Sequence, residues 1–319
     1  MPPLTSFLRL RVNQRRRQLW SLSAVAIALS LLGLVLSWLS PSIGSPLRAG
    51  LDFTGGTQIQ IERDCQGGCD PITTAALQRR LAGLELPADA GEQPPRLGSS
   101  AVQLLDDGRQ VVLRLPTLTA DQSQAVIDAL DPELGSTVPG GLGVDTIGPS
   151  LGAQLLRASL LSLLVSFIGI SAYITLRYDR LYAVLALVCL GHDVLITCGV
   201  FAWLGLLAGV EVNSLFAVAL LTLAGYSVND TVVVFDRIRE KRSQLEGVSL
   251  AEQADAAVAA TLTRSLFTSF TTLLPLLALI LFGGSTLFWF AVALSIGVVV
   301  GAWSSIAVAP TLLPVLARR

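Results

Sequence analysis

Six long apolar stretches, separated by polar segments, dominate the hydrophobic pattern of this 319-residue chain. About 20 apolar residues in a helix cross the hydrocarbon core of a bilayer, so each stretch is long enough for one span. The pattern predicts an α-helical membrane protein with six transmembrane helices, at residues 19–39, 155–176, 181–207, 212–235, 265–282 and 287–313. The first stretch is longer than a signal-peptide core and is followed by no small-residue cleavage pattern, so we expect a retained anchor.

Composition supports a membrane protein, because 52% of residues are hydrophobic and only 14% are charged. Soluble domains carry about 25% charged residues. The net charge of −1 gives no reason to expect a nucleic-acid partner.

The segment between the first two spans, residues 40–150, has the alternating patterns of a folded domain. Its predicted elements follow the order βαββαβ, which is typical of a ferredoxin-like α+β sandwich. They are a strand at 51–62, a helix at 71–84, strands at 101–105 and 110–115, a helix at 120–130 and a strand at 143–147. The rest of the chain, 151–319, is predicted to be a bundle of five helices with a cytoplasmic loop at 236–264.

Arginine residues indicate the orientation of the chain in the membrane. They are concentrated before the first span, between the second and third, after the fourth, and at the end of the chain. All of these positions fall on one side of a six-span topology. The positive-inside rule therefore places both termini, including residues 1–18, in the cytoplasm and the 40–150 domain outside it.

Two of the four cysteines, Cys65 and Cys69, lie in the exported domain. In an oxidising compartment they form either a short disulfide or two free thiols, and the spacing alone leaves both open. Cys189 and Cys198 are expected to be apolar helix residues. The only histidine, His192, lies in a predicted span, so no zinc site is expected.

Ionisable residues inside the spans are the strongest functional signal. His192 and Asp193 lie near the middle of the third span, Asp230 lies in the fourth, and Arg264 begins the fifth. A charge at the centre of a membrane helix costs about 2.5–3.5 kcal/mol on insertion scales, so such residues usually mark ion pathways or buried pairs. Plainer roles are a hydrogen-bond anchor for Asp193, packing for His192 and interfacial anchoring for Arg264. We expect Asp230 and Arg264 to meet at similar depth.

Five short motifs, in order, carry a resemblance to a known family. They are Gly50–Thr57, which includes Asp52, Phe53, Gly55, Gly56 and Thr57; Val144–Pro149; His192–Thr197; Gly225–Glu240; and Thr261–Ser265 with Thr268–Pro275. Together with six spans and one exported domain, they resemble the SecF family of the bacterial Sec protein-export system, within the RND superfamily. The Cys65–Cys69 segment is not part of that pattern.

The resemblance implies partners and a mechanism. A SecF-type subunit works with SecD beside the SecYEG channel, after SecA has acted, and binds the translocating polypeptide while using the proton motive force. By position, Asp193, Asp230 and Arg264 match the family's proton-coupling residues, and His192, Asn229 and Thr231 are their polar neighbours. The resemblance also implies a bacterial plasma (inner) membrane location and no cofactor.

Three other classes of function compete with this one. A proton-coupled RND transporter of small molecules or lipids is the main alternative, although such pumps carry two large exported domains in a twelve-helix chain. A purely structural scaffold is a third possibility. An enzyme is disfavoured because the sequence has no GxxxxGK[ST] motif, and a protease dyad would require Asp193 and Asp230 to share one site.

Overall fold

The structure is a computed structural model that describes residues 11–65, 71–87 and 94–317. Its helices are α1 Arg16–Leu39, α2 Leu51–Thr54, α3 Thr74–Ala82, α4 Ala120–Leu134, α5 Pro149–Arg177, α6 Arg180–Ala208, α7 Ser214–Gln244, α8 Leu250–Phe282, α9 Gly284–Trp303 and α10 Ala309–Leu316. A π-helical turn, Ser304–Val308, joins α9 to α10. The strands are β1 Gly56–Arg63, β2 Ala101–Leu105, β3 Gln110–Leu115 and β4 Thr137–Ile147.

Six helices in the described part of the chain are long and apolar enough to cross a membrane, which confirms the predicted number. They are α1, α5, α6, α7, α8 and a last span, Thr286–Leu316, that runs through α9, the π turn and α10. The chain divides into two compact units, a smaller one of residues Gly50–Ala158, which includes the first residues of α5, and a larger one that contains the rest of α5 and the other long helices.

The smaller unit contains a four-stranded antiparallel sheet in the order β2-β3-β1-β4. Its central strand β1 alternates buried and partly exposed residues, and Ile59 pairs with Leu113 on one side and Val144 on the other. Leu77 of α3 and Leu130 of α4 belong to the same buried cluster as Ile59. The strand and helix order is therefore the predicted βαββαβ, with both helices packed on the sheet.

The start of this unit differs from the prediction of a strand at 51–62. Residues Leu51–Thr54 form the helical turn α2, and Thr54 Oγ1 donates a hydrogen bond to the Gly50 carbonyl. Gly55 has φ +69° and Gly56, the first residue of β1, has φ +120°, so the helical turn passes into the strand through a pair of glycines. Residues with a Cβ rarely adopt these angles, which explains why the turn contains glycine.

In the larger unit, α6, α7 and the last span form the centre of the bundle. In the apolar stretch of 18 residues within each of these three spans, 50%, 56% and 61% of the residues are buried, respectively. The corresponding share is 6% for α5 and 17% for both α1 and α8. The outward faces of α1, α5 and α8 are apolar, as lipid-facing surfaces require. The interior of the bundle is therefore where a polar side chain meets other protein groups.

Close helix contacts in the bundle depend on glycine. A Cβ at Gly199 of α6 would overlap the Ser30 backbone and side chain of α1. A Cβ at Gly297 of α9 would lie 2.6 Å from Leu223 Cδ1 of α7. Small residues at such contacts allow membrane helices to pack closely.

Most residues of the predicted loop at 236–264 are helical, so the two flanking helices are longer than the predicted spans. Helix α7 continues to Gln244 and α8 begins at Leu250, so only residues 245–249 connect them. Charged side chains end the apolar span but not the helix, because they favour helix formation and can pair along it. Arg237 pairs with Glu240 one turn later, and Ser249 caps α8 in a capping box with Glu252.

Candidate functional site

The carboxylate of Asp193 lies fully buried in α6, in the middle of the bundle. Its Oδ2 accepts hydrogen bonds from Ser227 Oγ of α7 at 2.6 Å and from Ser304 Oγ of the π turn at 2.8 Å. Its Oδ1 lies 2.8 Å from Nδ1 of His192, the preceding residue. Three polar groups from three elements therefore surround one buried acid, which offsets the cost of removing it from water.

Asp230 of α7 forms a second buried site and is 6% exposed. Its Oδ1 accepts a hydrogen bond from Ser265 Oγ of α8 at 3.0 Å. Its Oδ2 accepts one from Ser305 Oγ of the π turn at 2.6 Å. Each carboxylate oxygen has one serine donor, so Asp230 ties α7 to α8 and to the last span.

The two serines of the π turn each have a second acceptor within reach. Ser304 Oγ lies 3.1 Å from the Gly301 carbonyl oxygen, and Ser305 Oγ lies 3.0 Å from that of Ala302. A hydroxyl has one proton to donate and two lone pairs that accept. Each serine can therefore donate to its carboxylate, or donate to the backbone and accept a proton from a neutral carboxyl group. π-Helical turns inside α-helices occur frequently at functional sites.

The structure brings Asp193, His192 and Asp230 into the polar interior but separates Arg264 from them. The Arg264 side chain is exposed on α8, and its neighbour Ser265 faces Asp230 instead. Within the described residues, no ion pair joins Arg264 to either aspartate. The expected meeting of Arg264 and Asp230 therefore does not occur within this chain.

The two other predicted polar neighbours, Thr231 and Asn229, are not among the groups that donate to the carboxylates. Thr231 is buried, and its Oγ1 has no hydrogen-bond partner among the described residues. Asn229 is exposed on α7, on the side of a cleft that Gly169 and Tyr173 of α5 also line. Among the described residues, the hydroxyl donors to the two carboxylates are serines.

The sequence patterns did not single out these serines, which are Ser227, Ser265, Ser304 and Ser305. Ser227 precedes Asp230 by three residues, and Ser265 follows Arg264 directly, so both stood inside recognised motifs. The adjacent pair Ser304 and Ser305 interrupts an otherwise apolar stretch. That pair of hydroxyls in the middle of a span was the signal that could have identified them.

In the smaller unit, the family strand motif is structural. Thr57 is fully buried, and its Oγ1 accepts a hydrogen bond from the Leu118 backbone amide at 2.9 Å. A Cβ at Gly56 would lie 2.6 Å from the Leu115 carbonyl oxygen of β3, so only glycine allows this approach. Asp52 and Phe53 are half-buried in the turn before it. These contacts shape the start of the sheet.

Cys65 follows β1 and is disulfide-bonded. Its predicted partner, Cys69, lies outside the described residues, so the pairing of the two remains a prediction. Cys189 and Cys198 are free cysteines within α6. In the described ranges, no group of three or more His, Cys, Asp or Glu side chains is arranged to hold a metal ion.

Comparison with known proteins gives the same family from three directions. The family model for "Protein export membrane protein SecD/SecF, C-terminal" matches residues 140–319, and the "SecD/SecF GG Motif" model matches residues 43–66. The motif match includes Gly55 and Gly56, the two glycines with positive φ at the start of the sheet.

Relatives of similar length match over almost the whole chain. The protein translocase subunit SecF of Prochlorococcus marinus is 51% identical, covering 95% of this chain and 94% of the relative. That of Synechocystis sp. is 41% identical, covering 96% and 93%. A crystal structure of SecDF, a translocon-associated membrane protein from Thermus thermophilus, superposes with a TM-score of 0.78 at 29% identity. It covers 96% of this chain, which spans 38% of the longer SecDF chain. The chain is therefore a multi-pass membrane protein that belongs to the SecD/SecF family of protein export membrane proteins.

Proposed function

We propose that this chain is an accessory subunit of Sec protein export that uses the proton motive force to assist late translocation and release of polypeptides. The export role is supported by relatives that are named protein translocase subunit SecF. The proton-coupled part rests on one observation, two buried carboxylates that each accept a hydrogen bond from a different serine of the π turn.

A coupling site must be stable both with and without its proton. When Asp193 is ionised, Ser227 and Ser304 donate to it. When it is neutral, Ser304 turns its proton to the Gly301 carbonyl and accepts the carboxyl proton instead. Leaving a buried polar group unpaired costs about 1–3 kcal/mol, and this exchange of donors avoids that cost in either state.

The exchange acts on helix packing because the serines and the acids lie on different elements. Ser304 connects the last span to α6, and Ser305 connects it to α7. A proton that neutralises one acid weakens one of these charge-assisted hydrogen bonds and leaves the other. One proton crossing the membrane provides about 2.3 kcal/mol per 100 mV, enough to shift the balance between two packings of the last span.

The partners of this function follow from the family. The chain matches one part of a longer SecDF chain, so a SecD-type region is the expected partner of this part. SecYEG, with SecA acting upstream, and the translocating polypeptide complete the assembly. Arg264 lies on an exposed face of α8, where a partner subunit can supply its counter-charge. Arg264 therefore contributes to coupling across a subunit interface.

Orientation and fold complete the proposal. Both termini lie in the cytoplasm and residues 40–150 lie on the outer side of a bacterial inner membrane, as the arginine distribution indicates. The exported unit is a ferredoxin-like sandwich, supported by the order β2-β3-β1-β4 with two helices on the sheet.

The test is export into sealed vesicles that contain the complete translocase, with ATP saturating and the proton gradient varied. Asp193→Asn has the shape of the neutral acid and cannot ionise, so it should abolish the gradient-dependent stimulation while the subunit still assembles. Glu246→Gln, in the exposed 245–249 connection, is the matched control and should behave as wild type. Full stimulation of Asp193→Asn at equal subunit levels would show that Asp193 is only a structural anchor.

A further inference from the structure

A cleft of about 330 Å³ lies between α5 and α7, in the part of both helices that spans the membrane. Apolar side chains form much of its lining, among them Ile170 of α5 and Val228 and Val232 of α7. One glycine from each helix, Gly169 and Gly225, also lines it. A Cβ at either glycine would meet nothing within 4 Å, so the two helices leave open space here instead of a packed contact.

The cleft lies on a lipid-facing helix. Only 6% of the residues in the apolar stretch of α5 are buried, and near its end Tyr173 and Leu176 are 58% and 89% exposed. The polar groups at the cleft are the Asn229 side chain and the Tyr173 hydroxyl. Lipid is the solvent of an exposed membrane helix, so an acyl chain can enter a cleft of this kind.

The end of α5 carries basic and aromatic side chains. Tyr178, in the connection between α5 and α6, is 6% exposed. Arg177 Cζ lies 5.2 Å from the centroid of its ring, and Arg239 Cζ of α7 lies 5.8 Å from it. A guanidinium group within about 6 Å of an aromatic ring is attracted to its face. One buried ring therefore positions two arginines that belong to different helices.

These arginines continue the line of the cleft toward the membrane surface. Arg177 follows the cleft residue Tyr173 by four residues, about one turn of α5. Arg239 follows the cleft residue Val232 by seven residues, about two turns of α7. The apolar space and the positive charge are therefore consecutive features of the same pair of helices.

The tyrosines of this region are neutral, and the arginines outnumber the acids around them. A third arginine, Arg242, donates a hydrogen bond to Tyr182, one turn after Tyr178. The acids near the two rings are Asp179 and Asp236. Burial, together with a hydrogen bond to Asp236, raises the pKa of Tyr178 to about 12, so this ring adds no negative charge. The region remains positive.

None of Arg177, Arg239 and Arg242 forms a salt bridge within the part of the chain that the structure describes. Arg237 of the same helix differs, since it pairs with Glu240. Positive charge at the ends of spans is a general topology signal, but that signal does not require rings that position guanidinium groups. A guanidinium group binds phosphate oxygens through paired hydrogen bonds, and basic pockets between membrane helices bind lipid headgroups.

We propose that α5 and α7 form a binding site for an anionic phospholipid, whose phosphate binds Arg177 and Arg239 and one of whose acyl chains lies in the cleft. The unpaired arginines and the apolar cleft match the two parts of such a lipid. A free phosphate ion would use only the arginines, and an apolar partner helix would use only the cleft. The lipid belongs to the leaflet at the Arg177 end, which is the cytoplasmic one in the proposed orientation. The site does not involve Asp193 or Asp230 and is independent of proton coupling.

Native mass spectrometry of the full-length protein in detergent tests the headgroup site. Phosphatidylglycerol should bind more tightly than phosphatidylcholine with the same acyl chains. Arg239→Gln should lower the affinity for phosphatidylglycerol about tenfold, because a charge-assisted hydrogen bond is lost. Arg237→Gln removes the same charge from the same helix and is the matched control, which should bind as wild type does. Equal affinities for the two lipids, or equal losses in the two variants, would overturn the proposal.

The acyl-chain site is tested by filling the cleft. Gly169→Leu should weaken the binding of phosphatidylglycerol, while Gly191→Leu on α6 should not. A Cβ at Gly191 also meets nothing within 4 Å, but this residue does not line the cleft. If Gly169→Leu does not fold, Gly225→Leu fills the cleft from α7 and replaces it. Undiminished binding to the filled variant, together with displacement of the lipid by inorganic phosphate, would identify a free anion site and overturn the lipid proposal.

The occupant in the assembled translocase is identified by photo-crosslinking in native membranes. A benzophenone amino acid in place of Tyr173, at the cleft, should form adducts with phospholipid that mass spectrometry detects. Adducts with protein alone would show that a partner helix fills the cleft, and would overturn the proposal.

Discussion

Ser304 and Ser305 are adjacent in one π-helical turn, yet they donate hydrogen bonds to two different carboxylates. Ser304 Oγ lies 2.8 Å from Asp193 Oδ2, and Ser305 Oγ lies 2.6 Å from Asp230 Oδ2. Successive residues of a helix point in different directions, so a single turn can reach both α6 and α7. The last span is therefore the element through which the two buried acids can affect each other.

Removing either serine should weaken both stability and coupling. Ser304→Ala leaves Asp193 with one donor fewer, and Ser305→Ala leaves Asp230 Oδ2 without its serine donor. We expect each variant to lose about 1–3 kcal/mol of unfolding free energy, since a buried acceptor loses its partner. Gradient-dependent export should fall in both, and denaturation in detergent together with the vesicle export assay measures the two effects.

Ser295→Ala is the control for these variants. Ser295 lies on α9, and its buried Oγ has no hydrogen-bond partner among the described residues. Removing this hydroxyl should be neutral or slightly stabilising, because no hydrogen bond is lost. Equal losses in Ser295→Ala and Ser304→Ala would contradict a specific role for the π turn.

Gly199→Ala should loosen the packing of α1 on α6. The added Cβ overlaps Ser30, including its backbone, so α1 must move rather than rotate a side chain. We expect a loss of about 1–3 kcal/mol, as overpacking usually costs. Gly169→Ala on α5 is the control, because a Cβ there meets nothing within 4 Å. Thermal unfolding of the two variants compares them, and equal midpoints would contradict the close contact.

Arg264→Gln should leave the isolated subunit as stable as wild type. Its side chain is exposed and pairs with neither aspartate, so its removal should change the unfolding free energy by less than about 0.5 kcal/mol. On the proposed function, in which a partner subunit supplies the counter-charge of Arg264, gradient-dependent export by the complete translocase should nevertheless be lost. A large loss of stability in the isolated subunit would instead support an ion pair within the chain.

The orientation of the protein is tested by single cysteines at exposed positions, Ser243→Cys near the end of α7 and Asp131→Cys in α4. In a background without the native cysteines, a membrane-impermeant reagent should label position 131 in sealed cells whose outer membrane has been permeabilised. Position 243 should be labelled only after the inner membrane is opened. The opposite pattern would reverse the topology and exclude the export proposal.

The sequence by itself determined the features that are local along the chain. Apolar length identified six spans, because a bilayer sets the number of residues that a helix needs. Alternating patterns placed β2 and β3 at their observed bounds, and the motif around Gly55 and Gly56 already indicated the family. The cost of a charge in a membrane identified Asp193 and Asp230 as interior residues, and both are buried.

The tertiary structure decided which groups meet. The donors to Asp193 and Asp230 include Ser304 and Ser305, which lie 75 or more residues away along the chain. Hydroxyl groups leave little trace in a hydropathy pattern, and their partners depend on how helices rotate about their axes. The same rotation places Ser265 toward Asp230 and Arg264 outward, a choice between adjacent residues that only helix packing makes.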